Sequence, residues 1–507
     1  MKKLWKKLLA VTTAVMMAIT LLPAMANANA TDGKGSVTII KNGEKSDEFL
    51  AGAKFSFYKI ASITNSEGKD WKYTVEEAYR EQLGDNGIAK NLNNLPSSAW
   101  EAEIDVLAAI NATAIKESKA SAEKTGSTGA TELPLGVYLV KETTTPAGYV
   151  ASKPFIVSVP STDNYDTAGK EGTEFIYDIT AKPKNSKMSV DKTIVNEDKT
   201  AYIGGFVEYK VETQIPKYGT EYTNPVFNIY DKMSNGLSFV NDAAHKLKVV
   251  VGGTEIVEGE NTYTLATNGL SDEKTFEIQF AKAFLENKEN KGKKVEVTYY
   301  AQVNKNAVYI NENSANITYQ NKPGETTDAT PSEKNVYTYG IDLTKKGDKS
   351  ADADGLDGAE FTLAAANGEM ISILVNGTKV DVNGNSKGGF QTTTVDNKKG
   401  KLVFKGLKAG TYTLTETKSP SGYSLAKNPI TIVITANADG SFASATVNEN
   451  TVTNDVKDGI VPVGLQNKSG FSLPATGGMG TYLFTIGGLV IMAGAALLLI
   501  ASRKRRA

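Results

Sequence analysis

Two glutamates sit in near-copies of one twelve-residue stretch, Glu142 in YLVKETTTPAGY (Tyr138–Tyr149) and Glu416 in YTLTETKSPSGY (Tyr412–Tyr423). On an alternating strand, Tyr138, Val140 and Glu142 share one face, as do Tyr412, Leu414 and Glu416. That face is apolar, so each carboxyl points into a core. A buried, unpaired carboxylate is costly and tends to neutralise. Lysines and asparagines aimed at the same cores supply a reason. In the candidate opening strands, Lys41 shares a face with Val37 and Ile39, Lys192 with Val190, and Lys345 with Ile341 and Leu343. In the candidate closing strands, Asn321 shares a face with Ile317 and Tyr319, and Asn454 with Val452. Asn185 joins Phe175, Tyr177, Ile179, Ala181 and Pro183 if alternation survives the proline. The middle stretch lacks the glutamate motif, but VFNIYDKMSNGLSF puts Asp231 on the face of Phe227 and Ile229.

These residue types together point to a self-crosslink. A lysine in an apolar pocket loses its proton more readily, and the neutral amine is a nucleophile. An asparagine carboxamide is a poor electrophile until a protonated acid hydrogen-bonds its carbonyl oxygen and shuttles protons. The amine attacks, ammonia leaves, and an isopeptide bond joins first strand to last. A folded core supplies much of the rate, since effective molarities reach roughly 10⁵–10⁸ M. Alone, a strand-end lysine snorkels and a strand-end asparagine belongs to a turn. Three repeats of the order lysine, acid, asparagine favour the chemical reading. A single-turnover reaction on the chain itself does not make the protein an enzyme, and no cofactor is expected.

The elements that must position these groups are strands. Three strand-rich units follow one another: residues 31–185, 186–338 and 339–456, with Lys457–Ser472 as a polar linker. SVTIIK opens the first, MSVDKTIV the second and YGIDLTKK the third. FVEYKVETQIP, KLKVVVGG, FEIQF and KKVEVTYYAQV read as further strands, with a short helix at AKAFLEN. Short strands between Gly- and Asn-rich turns imply an all-β chain of immunoglobulin-like sandwiches. SSAWEAEIDVLAAINATAIKESKA, with Ser97 or Ser98 as N-cap, reads as a helical insertion packed on the first sheet.

Composition narrows the alternatives. The 507 residues carry a formal net charge of −1, so nothing favours nucleic acid in general. Cysteine is absent, which removes thiolate catalysis, cysteine metal sites and disulfides. The one histidine, His245, lies in the polar stretch DAAHKLK and reads as a surface residue, which leaves an exported hydrolase poorly supported. Asp352, Asp354 and Asp357 in GDKSADADGLDG lack EF-hand spacing and read as a solvated acidic turn rather than a calcium site. No metal is expected.

Both ends carry export signals. Residues 1–30 have a basic lead, an apolar run and small residues, as in a secretory signal peptide cleaved after Ala30, with Ala26 and Ala28 as rivals. LPATGG (Leu473–Gly478) precedes an apolar run, Tyr482–Ala501, and then Arg503, Lys504, Arg505 and Arg506. As a helix that run is roughly 30 Å long, enough to span a bilayer as a transmembrane helix with the basic tail inside.

The order of motif, span and basic tail resembles the sorting signal of Gram-positive surface proteins, and the whole chain resembles their backbone pilins, built from CnaB-type and related immunoglobulin-like domains. The resemblance implies that a sortase cuts between Thr476 and Gly477 of Leu473-Pro474-Ala475-Thr476-Gly477 and passes the Thr476 acyl group to an amine. It identifies the two Glu stretches with that family's E-box. It maps the isopeptide pairs to Lys41–Asn185, Lys192–Asn321 and Lys345–Asn454, with Glu142, Asp231 and Glu416 as the catalytic acids. The family's pilin-motif lysine maps to Lys184 in AKPKN, where Lys182 stands in place of an expected aromatic and is itself a second candidate. Implied partners are the sortase, identical subunits in a head-to-tail polymer, ancillary pilins, peptidoglycan and host surface ligands. The implied location is the cell wall, after a transient membrane anchor. In such a polymer the second- and third-unit bonds carry load, and Asn454→Ala is expected to make the third unit extensible. A non-polymerising wall-anchored adhesin is the alternative.

Overall fold

The computed structural model describes residues 33–470, apart from 46, 67–69, 84–103, 105, 162–174, 197, 367, 369–370, 383–388 and 453–454, together with Met492. The chain forms two compact units. One comprises Met1–Glu197, Phe206–Gln302 and Glu312–Asn335; the other comprises Asp198–Gly205, Val303–Asn311 and Val336–Ala507. Among the described residues no helix is long and apolar enough to cross a membrane. The signal peptide, the LPATG motif and all of the apolar run except Met492 lie outside the described residues.

The first compact unit holds two sandwiches. In the first, the strand Lys34–Ile40 lies between Ser127–Pro134, antiparallel, and Asp178–Ala181, parallel. The facing sheet runs in the order Asp70–Val75, Lys54–Ser66, Gly136–Thr144, Phe155–Val159, with Lys116–Glu117 also paired to Lys54–Ser66. Val37, Ile39, Phe55, Phe57, Tyr138 and Val140 interleave between the sheets. Each such large apolar side chain contributes about 1.5–3 kcal/mol by leaving water. Leu107 and Ala108 join Ile60, Tyr79 and Leu139 in a separate cluster, so the helical insertion does pack on sheet residues. It is shorter than its sequence suggests. Helix ends by Ile110, and Lys116–Glu117 pairs with Phe57 and Ser56. Strand pairing outweighs helix propensity there, because it satisfies backbone groups of Lys54–Ser66. Ser97 and Ser98 lie outside the described residues.

The second sandwich is antiparallel in the pairs that matter here. Asp191–Ile194 pairs with Phe206–Gln214, which pairs with Lys294–Val303. In the opposite sheet, Phe227–Met233 lies between Phe276–Phe280 and Ile310–Lys322. The short helix is present at Lys282–Glu286 and buries Phe284 and Leu285.

The second compact unit contains the third sandwich. Tyr339–Gly347 lies between Lys398–Leu407, antiparallel, and Ile460–Asn467, parallel. Gly410–Lys418 lies in the facing sheet between Glu360–Ala365 and Ile430–Ala436. This corrects the domain boundary read from the sequence. Within the stretch read as a linker, Ile460–Asn467 completes the sheet and buries Val461 and Val463. Pro462 is tolerated because the strand lies at the sheet edge, where a missing N–H costs no ladder bond.

Candidate functional site: three buried lysine–acid–asparagine clusters

In the first domain the lysine strand and the asparagine segment run parallel, with Ile39 opposite Ala181 and Asn42 bridged to Lys184. This register sets Lys41 against Pro183 and Asn185 two residues further on. Lys41 Nζ donates to Asn185 Oδ1 at 2.5 Å and lies 3.0 Å from Glu142 Oε2. Asn185 Nδ2 donates to Glu142 Oε1 at 2.9 Å. The carboxylate is further held by the Ser152 N–H and hydroxyl, both at 2.8 Å. Lys41 is 0 % exposed, and burial pushes its ammonium pKa down against the opposing pull of Glu142. The proline does not break alternation, so Asn185 is buried while Lys184 is exposed and Lys182 half-buried.

The third domain brings the same residue types together with a different asparagine, but Lys345 Nζ donates to the Lys346 and Leu465 carbonyls at 3.1 and 3.5 Å rather than to the carboxamide. Lys345 pairs with Leu465 and Asn467 again lies two residues further on, opposite Gly347. Asn467 Nδ2 donates to both Glu416 oxygens at 2.9 Å, and Lys345 Nζ lies 3.9 Å from Glu416 Oε1. The Ala426 N–H holds Glu416 Oε2 at 2.7 Å, ten residues past the glutamate, as Ser152 is past Glu142. Burial lowers the Lys345 pKa to about 8, with Glu416 opposing. Asn467 Oδ1 is buried without a hydrogen bond among the described residues. Asn454, the asparagine expected from sequence, lies outside the described residues, and Asn467 occupies the position assigned to it. Alternation of Val461, Val463, Leu465 and Asn467 was the available signal, masked by the polar, Gly-containing composition of its surroundings.

The middle domain also replaces the expected asparagine. Lys192 Nζ lies 2.6 Å from Asp231 Oδ2, in a cage formed by the Tyr209 and Tyr299 rings at 4.8 and 5.4 Å. Burial lowers the Lys192 pKa to about 8 and raises that of Asp231, each group opposing the other's shift. The Tyr299 hydroxyl donates to Asp231 Oδ2 and accepts from Asn313 Nδ2 at 3.3 Å. Asn313 and Asp231 are both buried, and Asn313 Oδ1 and Asp231 Oδ1 have no hydrogen-bond partner among the described residues. Asn321 is on the same strand and face but at the wrong end. Asp231 pairs with Ala315, Met233 with Asn313 and Phe227 with Tyr319, so Asn321 lies beyond the far end of the aspartate strand. At roughly 3.3 Å per residue, Asn313 and Asn321 are about 26 Å apart along the strand. Asn321 instead accepts backbone bonds from Ala151 N–H and the Tyr222 hydroxyl.

The remaining candidates fall elsewhere. His245 stacks on Phe206 and pairs with Asp242 at 3.1 Å. The acids of the turn do not converge: Asp352 accepts from the Tyr423 hydroxyl, Asp357 from Thr394 and the Gly400 N–H, and Asp354 is exposed.

Sandwich domains that carry a buried lysine, acid and asparagine between sheets, joined in tandem, define a class of modular surface protein. Three family models match, in four places. A SpaA prealbumin-like fold domain matches residues 35–173 and 340–450. A Gram-positive pilin backbone subunit 2, Cna-B-like domain matches 203–323. An LPXTG cell wall anchor motif matches 466–507. Fimbrial subunit type 2 of Actinomyces naeslundii is 27 % identical over 89 % of this chain and 82 % of its own length. Fimbrial subunit type 1 of Actinomyces viscosus is 28 % identical over 73 % of each chain. The T6 backbone pilin of serotype M6 Streptococcus pyogenes shares the fold, with a TM-score of 0.56 at 18 % identity over 87 % of this chain and 100 % of that one. The chain belongs to the Gram-positive backbone pilins anchored to the cell wall through an LPXTG motif. Its partners are therefore a sortase and the other subunits of a surface pilus.

Proposed function

We propose that this chain is the covalently polymerised shaft subunit of its pilus, a sortase substrate and not an enzyme. Each subunit is joined through the Thr476 acyl group to the Lys184 amine of the next, and is braced by three internal Lys–Asn bonds. Those bonds are Lys41–Asn185, Lys192–Asn313 and Lys345–Asn467, with Glu142, Asp231 and Glu416 as the acids. The observation that carries the reading is the first cluster. There the buried Lys41 amine lies 2.5 Å from the Asn185 carboxamide oxygen and 3.0 Å from a Glu142 carboxylate oxygen. In each reaction Lys Nζ bonds to Asn Cγ, the Cγ–Nδ2 bond breaks, and the proton lost by Nζ leaves with ammonia through the acid. The exposed Lys184 beside the buried Asn185 supports separate roles for neighbouring residues, one intermolecular and one internal. Ancillary pilins, peptidoglycan and host ligands complete the proposed partners.

Intact mass tests the internal bonds, since each bond removes about 17 Da as ammonia. The mature chain is expected three ammonia masses below its sequence mass. Asn313→Ala is expected two ammonia masses below its own sequence mass and Asn321→Ala three; the reverse result would sink the middle-domain assignment.

Bond formation in the middle domain is expected to follow a bell-shaped pH profile. The reactive form pairs neutral Lys192 with protonated Asp231, one proton below the fully protonated pair. Lowering pH protonates the amine as well and stops the reaction; raising pH removes the pair's remaining proton and strips the acid as well. The rising limb lies above the ordinary carboxylate range because burial raises the Asp231 pKa. Initial rates of ammonia loss in freshly synthesised chain measure this, and a rate that climbs steadily through pH 10 would refute it.

A further inference from the structure

The two glutamate-bearing domains share more than lysine, acid and asparagine. Tyr149 and Tyr423 each follow their glutamate by seven residues and close the repeated stretch. Each tyrosine sits opposite the second residue after the asparagine: Tyr149 pairs with Lys187, and Tyr423 with Ser469. Beside each pair, the next amide of the asparagine segment donates to the glycine before the tyrosine. Met188 N–H reaches the Gly148 carbonyl at 2.8 Å, and Gly470 N–H reaches that of Gly422 at 3.2 Å.

The ring of each tyrosine then crosses to the other reacting strand. The Tyr149 hydroxyl donates to Glu48 at 2.5 Å, and the Tyr423 hydroxyl donates to Asp352. Glu48 follows Lys41 by seven residues and Asp352 follows Lys345 by seven. Two residues past each lysine stands a buried glycine, Gly43 or Gly347, neither of which has a positive φ. Space explains both. A methyl on Gly43 would overlap the Glu48 carboxylate, and one on Gly347 would overlap the Asp352 carboxylate and the Tyr423 ring. One tyrosine thus holds the asparagine segment through its backbone and the loop leaving the lysine strand through its hydroxyl, at the same offsets in both domains.

We propose that Tyr149 and Tyr423 are positioning residues that clamp the lysine strand to the asparagine strand before the isopeptide bond forms. The inference rests on the proposed self-crosslinking of these clusters. The need is clearest in the first domain, where the regular ladder ends at Ile39 and Ala181, short of both Lys41 and Asn185. Strand ends open locally, and a reacting pair displaced by about 1 Å loses on the order of 10²-fold in rate. The clamp suppresses that opening. The hydrogen bond to Asp352 pushes the Tyr423 hydroxyl pKa up to about 12, so it remains a donor through the physiological range.

The test follows full-length chain made by cell-free synthesis, quenched in acid at intervals and digested, with the Lys345–Asn467 and Lys41–Asn185 crosslinked peptides quantified by mass spectrometry. Tyr423→Phe, which removes only the hydroxyl, is expected to slow the Lys345–Asn467 bond at least tenfold. The Lys41–Asn185 bond in the same molecules is expected to close at its normal rate and so reports folding and timing. Gly347→Ala is expected to slow the same bond by displacing Asp352, while Asp352→Asn, which keeps an acceptor oxygen, stays within about threefold of wild type. Tyr149→Phe should reverse the pattern, slowing only the first-domain bond. Wild-type closure of the third-domain bond in Tyr423→Phe would overturn the clamp. Absence of the bond in the unsubstituted chain, or its presence in Glu416→Ala, would instead overturn the crosslinking reading beneath it.

Discussion

Replacing Lys184 with alanine is expected to abolish the polymer outright. Cells carrying the native chain should yield a ladder of multimers that resists boiling in SDS, because the proposed joint between subunits is an amide. Lys184→Ala should leave one monomeric band, still released with the wall fraction, because peptidoglycan supplies its own amine to the Thr476 acyl group. The structural basis is the alternation through Pro183, which exposes Lys184 and buries Asn185. Lys182 is half-buried, so Lys182→Ala is expected to keep the ladder. A ladder that persists in Lys184→Ala and disappears in Lys182→Ala would reassign the nucleophile. Monomers in both the native strain and the variant would favour a wall-anchored adhesin.

The second large effect is expected from Asn467→Ala. Tension entering a subunit at Lys184 and leaving at Thr476 passes along the chain through the middle and third domains. With Lys345 joined to Asn467, force crosses the third domain through a single amide, and the intervening chain carries none. Without it, roughly 120 residues at about 3.4 Å each can extend, adding about 400 Å of contour. Pulling single molecules should therefore show one new unfolding event of that length in Asn467→Ala and none in Asn454→Ala. The same variant should lie two ammonia masses below its own sequence mass instead of three. By analogy with a disulfide closing a loop of this size, its third domain should also lose about 4–5 kcal/mol of stability. An unchanged force–extension trace in Asn467→Ala would remove Lys345–Asn467 from the load path. Asn185→Ala should be mechanically silent by the same logic, since the first domain precedes Lys184 in the chain.

Seven of the residues that the sequence aimed at the cores lie in the three buried clusters, while the asparagines found in the second and third clusters are Asn313 and Asn467. Lys41, Glu142, Asn185, Lys192, Asp231, Lys345 and Glu416 were legible because each is a polar residue in phase with an apolar face. A two-residue period reports the facing of a side chain whatever the rest of the fold does. Asn313 was not legible because Asn313 and Asn321 lie on the same face of the strand Ile310–Lys322, and period alone cannot choose between them. The choice is made by register: Met233, two residues past Asp231 on the neighbouring strand, lies opposite Asn313. Asn467 was missed for a different reason. Its strand is short and contains Pro462 and Gly464, so it reads as a linker until Tyr339–Gly347 is available to pair with it. Tyr299 carried no local signal, because its hydroxyl meets Asp231 only across the space between two sheets.

The sequence by itself determined that the chain is exported, wall-anchored, free of cysteine and built of strands with acids and lysines turned inward, since those properties depend on composition, order and period. Tertiary structure decided which asparagine shares a core with each lysine and acid, and that Tyr149 and Tyr423 bridge the lysine and asparagine segments. Those clusters join residues far apart in sequence, and only the pairing of strands into sheets brings them together.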